Sequence, residues 1–120
     1  MRYFNYEMAK RMSGTKEDEA LQRYFPDSDK FGACVYFTRE KTLDFVEINT
    51  LKDASVNGAT WTHFANILNT GDGTWEVNTQ FNGEKEDEMW TYGYRKTFRG
   101  ACYLAKSIYL GKGKVIDVYK

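Results

Sequence analysis

The stretch that most constrains how this chain can fold runs from Thr74 to Leu110, TWEVNTQFNGEKEDEMWTYGYRKTFRGACYLAKSIYL. Side chains alternate first at Trp75, Val77, Thr79 and Phe81 and again at Trp90, Tyr92 and Tyr94, then recur with helical spacing at Phe98, Ala101, Cys102, Ala105, Ile108 and Tyr109. A period of two sends successive side chains to opposite faces of a strand, whereas a period near 3.6 gathers them on one face of a helix. The stretch is therefore expected to be a hairpin closed by the acidic loop Glu84–Glu88, followed by an amphipathic helix over about 97–110 that Gly111 caps. Strands joined by so short a connection are antiparallel, because a parallel crossover needs a dozen or more residues. Trp90, Tyr92 and Tyr94 then form an aromatic platform on one strand face, either core packing or a flat surface for a partner.

The remaining segments fit around that unit. The opening MRYFNYEMAKRM is expected to be a short strand passing into a turn. Thr15 with Asp18 makes a capping box for a helix over about 15–25, which buries Ala20, Leu21, Tyr24 and Phe25 and ends at Pro26. Phe31, Ala33, Val35 and Phe37 alternate, and TLDFVEIN alternates after them, so residues 31–49 form a second hairpin. Residues 51–57 are expected to form a loop. Trp61, Phe64, Ala65 and Leu68 lie at helical spacing and predict a short helix over 60–69. KVIDVYK, 114–120, closes the chain as a strand. The fold class is α+β: an antiparallel or mixed sheet of about five to six strands, with two to three helices packed on one side. With 120 residues and no linker or repeat, 1–120 is a single domain.

Composition narrows the function classes. One His and two Cys cannot furnish a closed zinc site of the usual kinds, and no phosphate-binding glycine motif is present, so neither metal nor cofactor is expected. Cys34 and Cys102 fall within apolar patterns and His63 on the polar side of its expected helix, which argues against a thiol nucleophile with a base. No carboxylate pair singles itself out, and the chain is read as non-enzymatic. Few Cys, no leader-type segment and no long apolar run point to an intracellular, cytoplasmic protein without a membrane role. A homodimer through an open sheet edge or the aromatic face is compatible with all of this.

Charge is the least generic feature. The net charge is zero, yet residues 71–88 hold Asp72, Glu76, Glu84, Glu86, Asp87 and Glu88 against Lys85, while 95–120 hold seven cations against Asp117. On the last helix Arg99, Tyr103, Lys106 and Leu110 form a second stripe beside the buried one. Basic groups interleaved with aromatics suit a protein interface or a nucleic acid. A protein partner is favoured, because a neutral chain with an acidic loop repels a duplex. The partner-binding candidates are Arg95, Lys96, Arg99, Tyr103 and Lys106, with Glu84, Glu86, Asp87 and Glu88 acting as a phosphate mimic.

In general character such a chain resembles the small phage- and plasmid-encoded inhibitors of host defence systems, including anti-CRISPR-like proteins, although no motif carries that resemblance. It implies an inhibitor of a host nucleic-acid-handling enzyme, working in the host cytoplasm. The alternative is a nucleic-acid-binding module using Arg95, Lys96, Arg99, Lys106, Lys112 and Lys114, and the third is a small enzyme.

Overall fold

The computed structural model of the protein describes residues 1–55, 58–80 and 89–119, and of residues 52–55, 58–60, 80 and 117–119 the backbone alone. In chain order the elements are β1 (Arg2–Tyr3), α1 (Tyr6–Met12), α2 (Lys16–Tyr24), β2 (Phe31–Phe37), β3 (Leu43–Ser55), β4 (Gly58–Asn69), β5 (Trp75–Gln80), β6 (Met89–Arg95), α3 (Phe98–Tyr109) and β7 (Asp117–Tyr119). The strands form one sheet in sequence order, β1 to β7. Every neighbouring pair is antiparallel except β1, which lies parallel to β2 with Arg2 opposite Gly32 and Tyr3 opposite Ala33. The sheet is thus mixed and the architecture α+β, as the element pattern implies.

Local chemistry explains the helices. Thr15 caps α2 by accepting from the Asp18 amide at 3.0 Å, and Thr97 caps α3 by accepting from the Gly100 amide at 3.0 Å. Both helices lie on one face of the sheet. Leu21 and Phe25 from α2 and its C-cap meet Ala101, Cys102 and Ala105 from α3 over Ala33, Val46, Ile48, Ile67 and Val77. Phe25 sits at the centre, fully buried, edge-on to Phe31 at 5.1 Å and to Phe64 at 6.4 Å. Tyr3 ties β1 to α2 by donating to Asp18 Oδ1 at 2.5 Å; burial, then that hydrogen bond, hold its phenol well above the ordinary range. Beyond the two-residue β1, the edge of β2 is met by α1: the Val35 amide donates to Met8 Sδ at 3.5 Å.

Three expectations change. The segment 60–69 is not a helix but the middle of β4, a long strand antiparallel to β3. Its apparent helical spacing comes from a bulge: Ile48 pairs with Ala65 and Asn49 with His63, so Phe64 is the extra residue and turns toward the core beside Ala65. Residues 51–55 continue β3 rather than forming a loop. The opening segment keeps two residues of strand and then becomes a helix, because Asn5 accepts from the Met8 amide at 2.9 Å and caps α1. Converting one helix to strand raises the sheet to seven strands among the described residues, and α1 restores the helix number to three.

Candidate functional site

Since the helices occupy one face of the sheet, the molecule offers two quite different surfaces. The first is built by α2, α3 and the start of β5. Helical periodicity buries Phe98, Ala101, Cys102, Leu104 and Ala105 and turns Arg99 and Tyr103 outward, Tyr103 with 61% of its surface exposed. Tyr103 stands edge-on to Tyr24 of α2 at 5.9 Å. Where the first turns of α2 and α3 diverge, a groove of about 400 Å³ opens over Trp75 and Phe98, which pack edge to face at 5.0 Å. Its rim carries Lys16, Arg23 and Arg99, with Glu17 and Glu19 among them. Among the described residues none of these cations forms an ion pair, the Arg2–Asp29 pair being elsewhere. An aromatic floor whose rim carries three cations, unpaired among the described residues, beside two carboxylates can hold an anionic group and the side chain next to it.

The candidates read from the sequence divide on this surface. Arg95, Lys96, Arg99 and Tyr103 are exposed together around the start of α3, with Arg95 Nη1 donating to the Tyr94 carbonyl at 2.9 Å. Lys106 does not join them. Its ammonium folds over the core edge, 5.5, 5.0 and 5.4 Å from the ring centres of Phe25, Phe31 and Tyr109. Lys112 and Lys114 are exposed beyond the far end of the helix, about 18 Å away by helical rise. Glu84, Glu86, Asp87 and Glu88 lie outside the described residues.

The expected platform of Trp90, Tyr92 and Tyr94 is broken. Tyr94 pairs with Glu76 and Thr91 with Asn78, on the face away from the helices, while Tyr92 packs against the core. The cause is the bulge in β5–β6 pairing next to Val77, where Val77 faces Gly93 and Asn78 faces Thr91.

The second surface is the helix-free face, and here the structure assembles residues that the sequence reading left apart. Tyr36 of β2 stacks on Phe45 of β3 at 4.1 Å, and Phe4 meets Trp61 edge-on at 5.0 Å above Gly32, where a Cβ would fall 2.5 Å from the Phe4 ring. Between these aromatic pairs runs a polar chain: His63 Nε2 lies 2.7 Å from Asn66 Oδ1, Asn66 Nδ2 donates to Asn78 Oδ1 at 3.0 Å, and Asn78 Nδ2 donates to Glu76 Oε2 at 2.7 Å. Asn78 is fully buried and Asn66 nearly so. They form the floor of a cavity of about 220 Å³ walled by Phe45, Leu68, Met89 and Glu47.

His63, expected on a helix surface, is half-buried on β4, and Cys34 is half-exposed opposite Glu47, whereas Cys102 is fully buried and burial pushes its thiol up. Tyr36 is pushed up to about 12, first by the neighbouring Cys34 side chain and then by burial and Glu47. The signal in the sequence was Asn78 inside a strand pattern, where Asn is disfavoured; Asn66 lay in a segment whose spacing resembled a helix.

Among the described residues no three His, Cys, Asp or Glu side chains converge as metal ligands, and no helix is long and apolar enough to cross a membrane. No protein-family model matches the chain, and comparison with curated proteins and with solved structures finds no similar one.

Proposed function

We propose that this is a non-enzymatic binding protein that docks an acidic segment of a protein partner into the groove between α2 and α3. The observation that supports it is the groove itself, about 400 Å³ over the Trp75–Phe98 pair, with Lys16, Arg23 and Arg99 unpaired among the described residues at its rim. Exposed Tyr103 extends the same surface along α3. Arg and Tyr anchors next to a cleft are what protein interfaces use most. Charge complementarity supports an acidic partner, since three cations outweigh the two carboxylates in the cleft. A nucleic acid is disfavoured, since Lys106 is drawn onto the core rings and Lys112 and Lys114 lie at the opposite end of α3, leaving no continuous cationic track among the described residues. The sharper form of the proposal is an inhibitor of a host nucleic-acid-handling or defence enzyme.

The test is fluorescence anisotropy with a labelled peptide that alternates Glu with Phe, against labelled single- and double-stranded DNA, at low and near-physiological salt. The peptide is expected to bind, and Arg99→Ala is expected to weaken it by roughly tenfold, a typical anchor effect, with an unchanged melting curve. DNA bound more tightly than the peptide, with affinity falling as a power of salt, would replace this reading by the nucleic-acid one.

A further inference from the structure

The helix-free face carries a second pocket, on the other side of the sheet from the α2–α3 groove. Its hydrogen-bonding inventory is specific. A carboxamide has two N–H donors and an oxygen with two lone pairs. Asn66 spends one N–H on Asn78 and receives His63 on its oxygen; Asn78 spends one N–H on Glu76 and receives Asn66. Each therefore keeps one N–H and one lone pair unengaged among the described residues, at 7% and 0% exposure. Every one of these amide atoms already has one partner, and the N–H and lone-pair capacity left over at the floor of the pocket is what a ligand seated there would take up. Glu47 stands at the wall, half-exposed and without a cation among the described residues.

A ligand that completes this set brings a carbonyl for the amide N–H groups, N–H donors for the Glu47 carboxylate, and a flat apolar body for Phe45, Leu68 and Met89. A cavity of about 220 Å³ lies below the range for drug-sized ligands, so it takes one ring system. A guanidinium offers donors alone and would strand the amide N–H groups. Adenine lacks the carbonyl and the second adjacent donor. A phosphate would meet Glu47 and Glu76 at close range.

We infer that the cavity between Phe45, Leu68 and Met89 binds the lactam edge of a guanine-type base, with Glu47 accepting its two N–H groups and Asn66, held in place by the fully buried Asn78, donating to its carbonyl. The base belongs to a free nucleoside or to a single strand. The phosphates of a strand must then pass outside the carboxylates.

The experiment is an NMR titration of the intact protein with guanosine, inosine, adenosine, arginine amide and a short single-stranded oligonucleotide holding one guanine, read at the side-chain NH₂ signals of Asn66 and Asn78. Guanosine is expected to shift both signals, with inosine weaker because it lacks the exocyclic amine. Adenosine should be weaker by roughly tenfold or more, because a site built to hydrogen-bond rejects a ligand lacking the matching groups. Glu47→Gln keeps the shape of the wall and should weaken guanosine by a similar factor with the backbone spectrum unchanged. The oligonucleotide arm identifies the source, binding above or below the nucleoside at the same Asn signals. Adenosine equal to guanosine, arginine amide preferred to both, or Asn signals unmoved at millimolar nucleoside would each overturn the assignment. The nucleoside series is read on the unaltered protein, so it decides the matter even if Glu47→Gln perturbs the fold.

Discussion

Val77 and Asn78 are neighbours in sequence and both fully buried, yet they face opposite sides of the sheet, and Ile67 and Asn66 repeat the contrast one strand away. On the helix side burial comes from α2 and α3, and apart from Thr79 the residues it covers are apolar, among them Phe25, Val46, Ile48, Ile67 and Val77. On the other side no helix among the described residues covers the strands, and Phe45, Leu68 and Met89 of the sheet itself stand around two buried carboxamides. One face hides carbon under other elements; the other hides hydrogen-bonding groups inside a cavity. Burial of the first kind is the driving force of folding, whereas burial of the second kind costs free energy unless every group is satisfied.

The largest test of that contrast removes the same aromatic ring from each face. Phe25→Ala should destabilise the protein by about 3–5 kcal/mol, since the ring is fully enclosed and the hole cannot refill. Phe45→Ala, half-exposed and stacked on one neighbour, should cost about 1–2 kcal/mol. Urea unfolding of both variants measures the difference, and equal losses would mean that the two faces contribute alike to the core.

The two faces also differ in how readable they were. The helix side follows from simple periods: Phe31, Ala33, Val35 and Phe37 along β2, the Thr15 and Thr97 caps, and the stripe of α3 that leaves Arg99 and Tyr103 outside. What escaped the sequence lies where a bulge changes the period. The extra Phe64 made β4 resemble a helix, and the irregularity beside Val77 split Trp90, Tyr92 and Tyr94 between faces. Bulges are set by pairing with a neighbour strand, which one strand's own pattern does not contain. The Asn66–Asn78 contact spans 12 residues and exists only through the β4–β5 register. Lys106 lies on the predicted stripe, but its long stem let the charge swing onto three rings, an outcome that depends on where Phe31 and Tyr109 meet.

A second test asks whether the amide pair serves stability at all. Asn78→Ala leaves the Asn66 N–H and Glu76 without their partner and should cost about 1–3 kcal/mol. Replacing both, Asn66→Val with Asn78→Val, removes donor and acceptor together, and the half-exposed His63 and Glu76 can turn to water. Such paired replacement is nearly neutral or stabilising when a polar pair is not needed for the fold. The expected double-mutant result by thermal unfolding is a stability within about 1 kcal/mol of the parent and above that of Asn78→Ala alone. A double mutant less stable than either single one would assign the pair a structural role and weaken the contrast between the faces.

The smallest effect concerns the turn that joins the two Asn-bearing strands. Gly71 and Gly73 hold positive φ values of 87° and 90°, which side chains with a Cβ disfavour, and the turn closes around Asp72. That carboxylate accepts from the Thr70 hydroxyl, from the Thr74 hydroxyl at 2.7 Å and from the Thr74 amide at 3.2 Å. Bonds from Thr70 and then Thr74 favour the ionised form and hold its pKa below the ordinary aspartate value. A pKa lowered by folding contributes stability that is present above the unfolded value and disappears as pH falls through the folded one. From about pH 4 downward the turn should therefore lose its clasp, and with it the fixed β4–β5 register that brings Asn66 to Asn78. Because Asp72 is fully exposed, water competes for every one of these bonds and the effect on global stability is slight. It should be clearest in an NMR titration, with the Asp72 carboxyl midpoint below that of a free aspartate and the Asn66 and Asn78 NH₂ signals broadening over the same interval. Asp72→Asn keeps the turn's shape while removing the titration, so broadening that persists unchanged in that variant would separate the turn from the helix-free face.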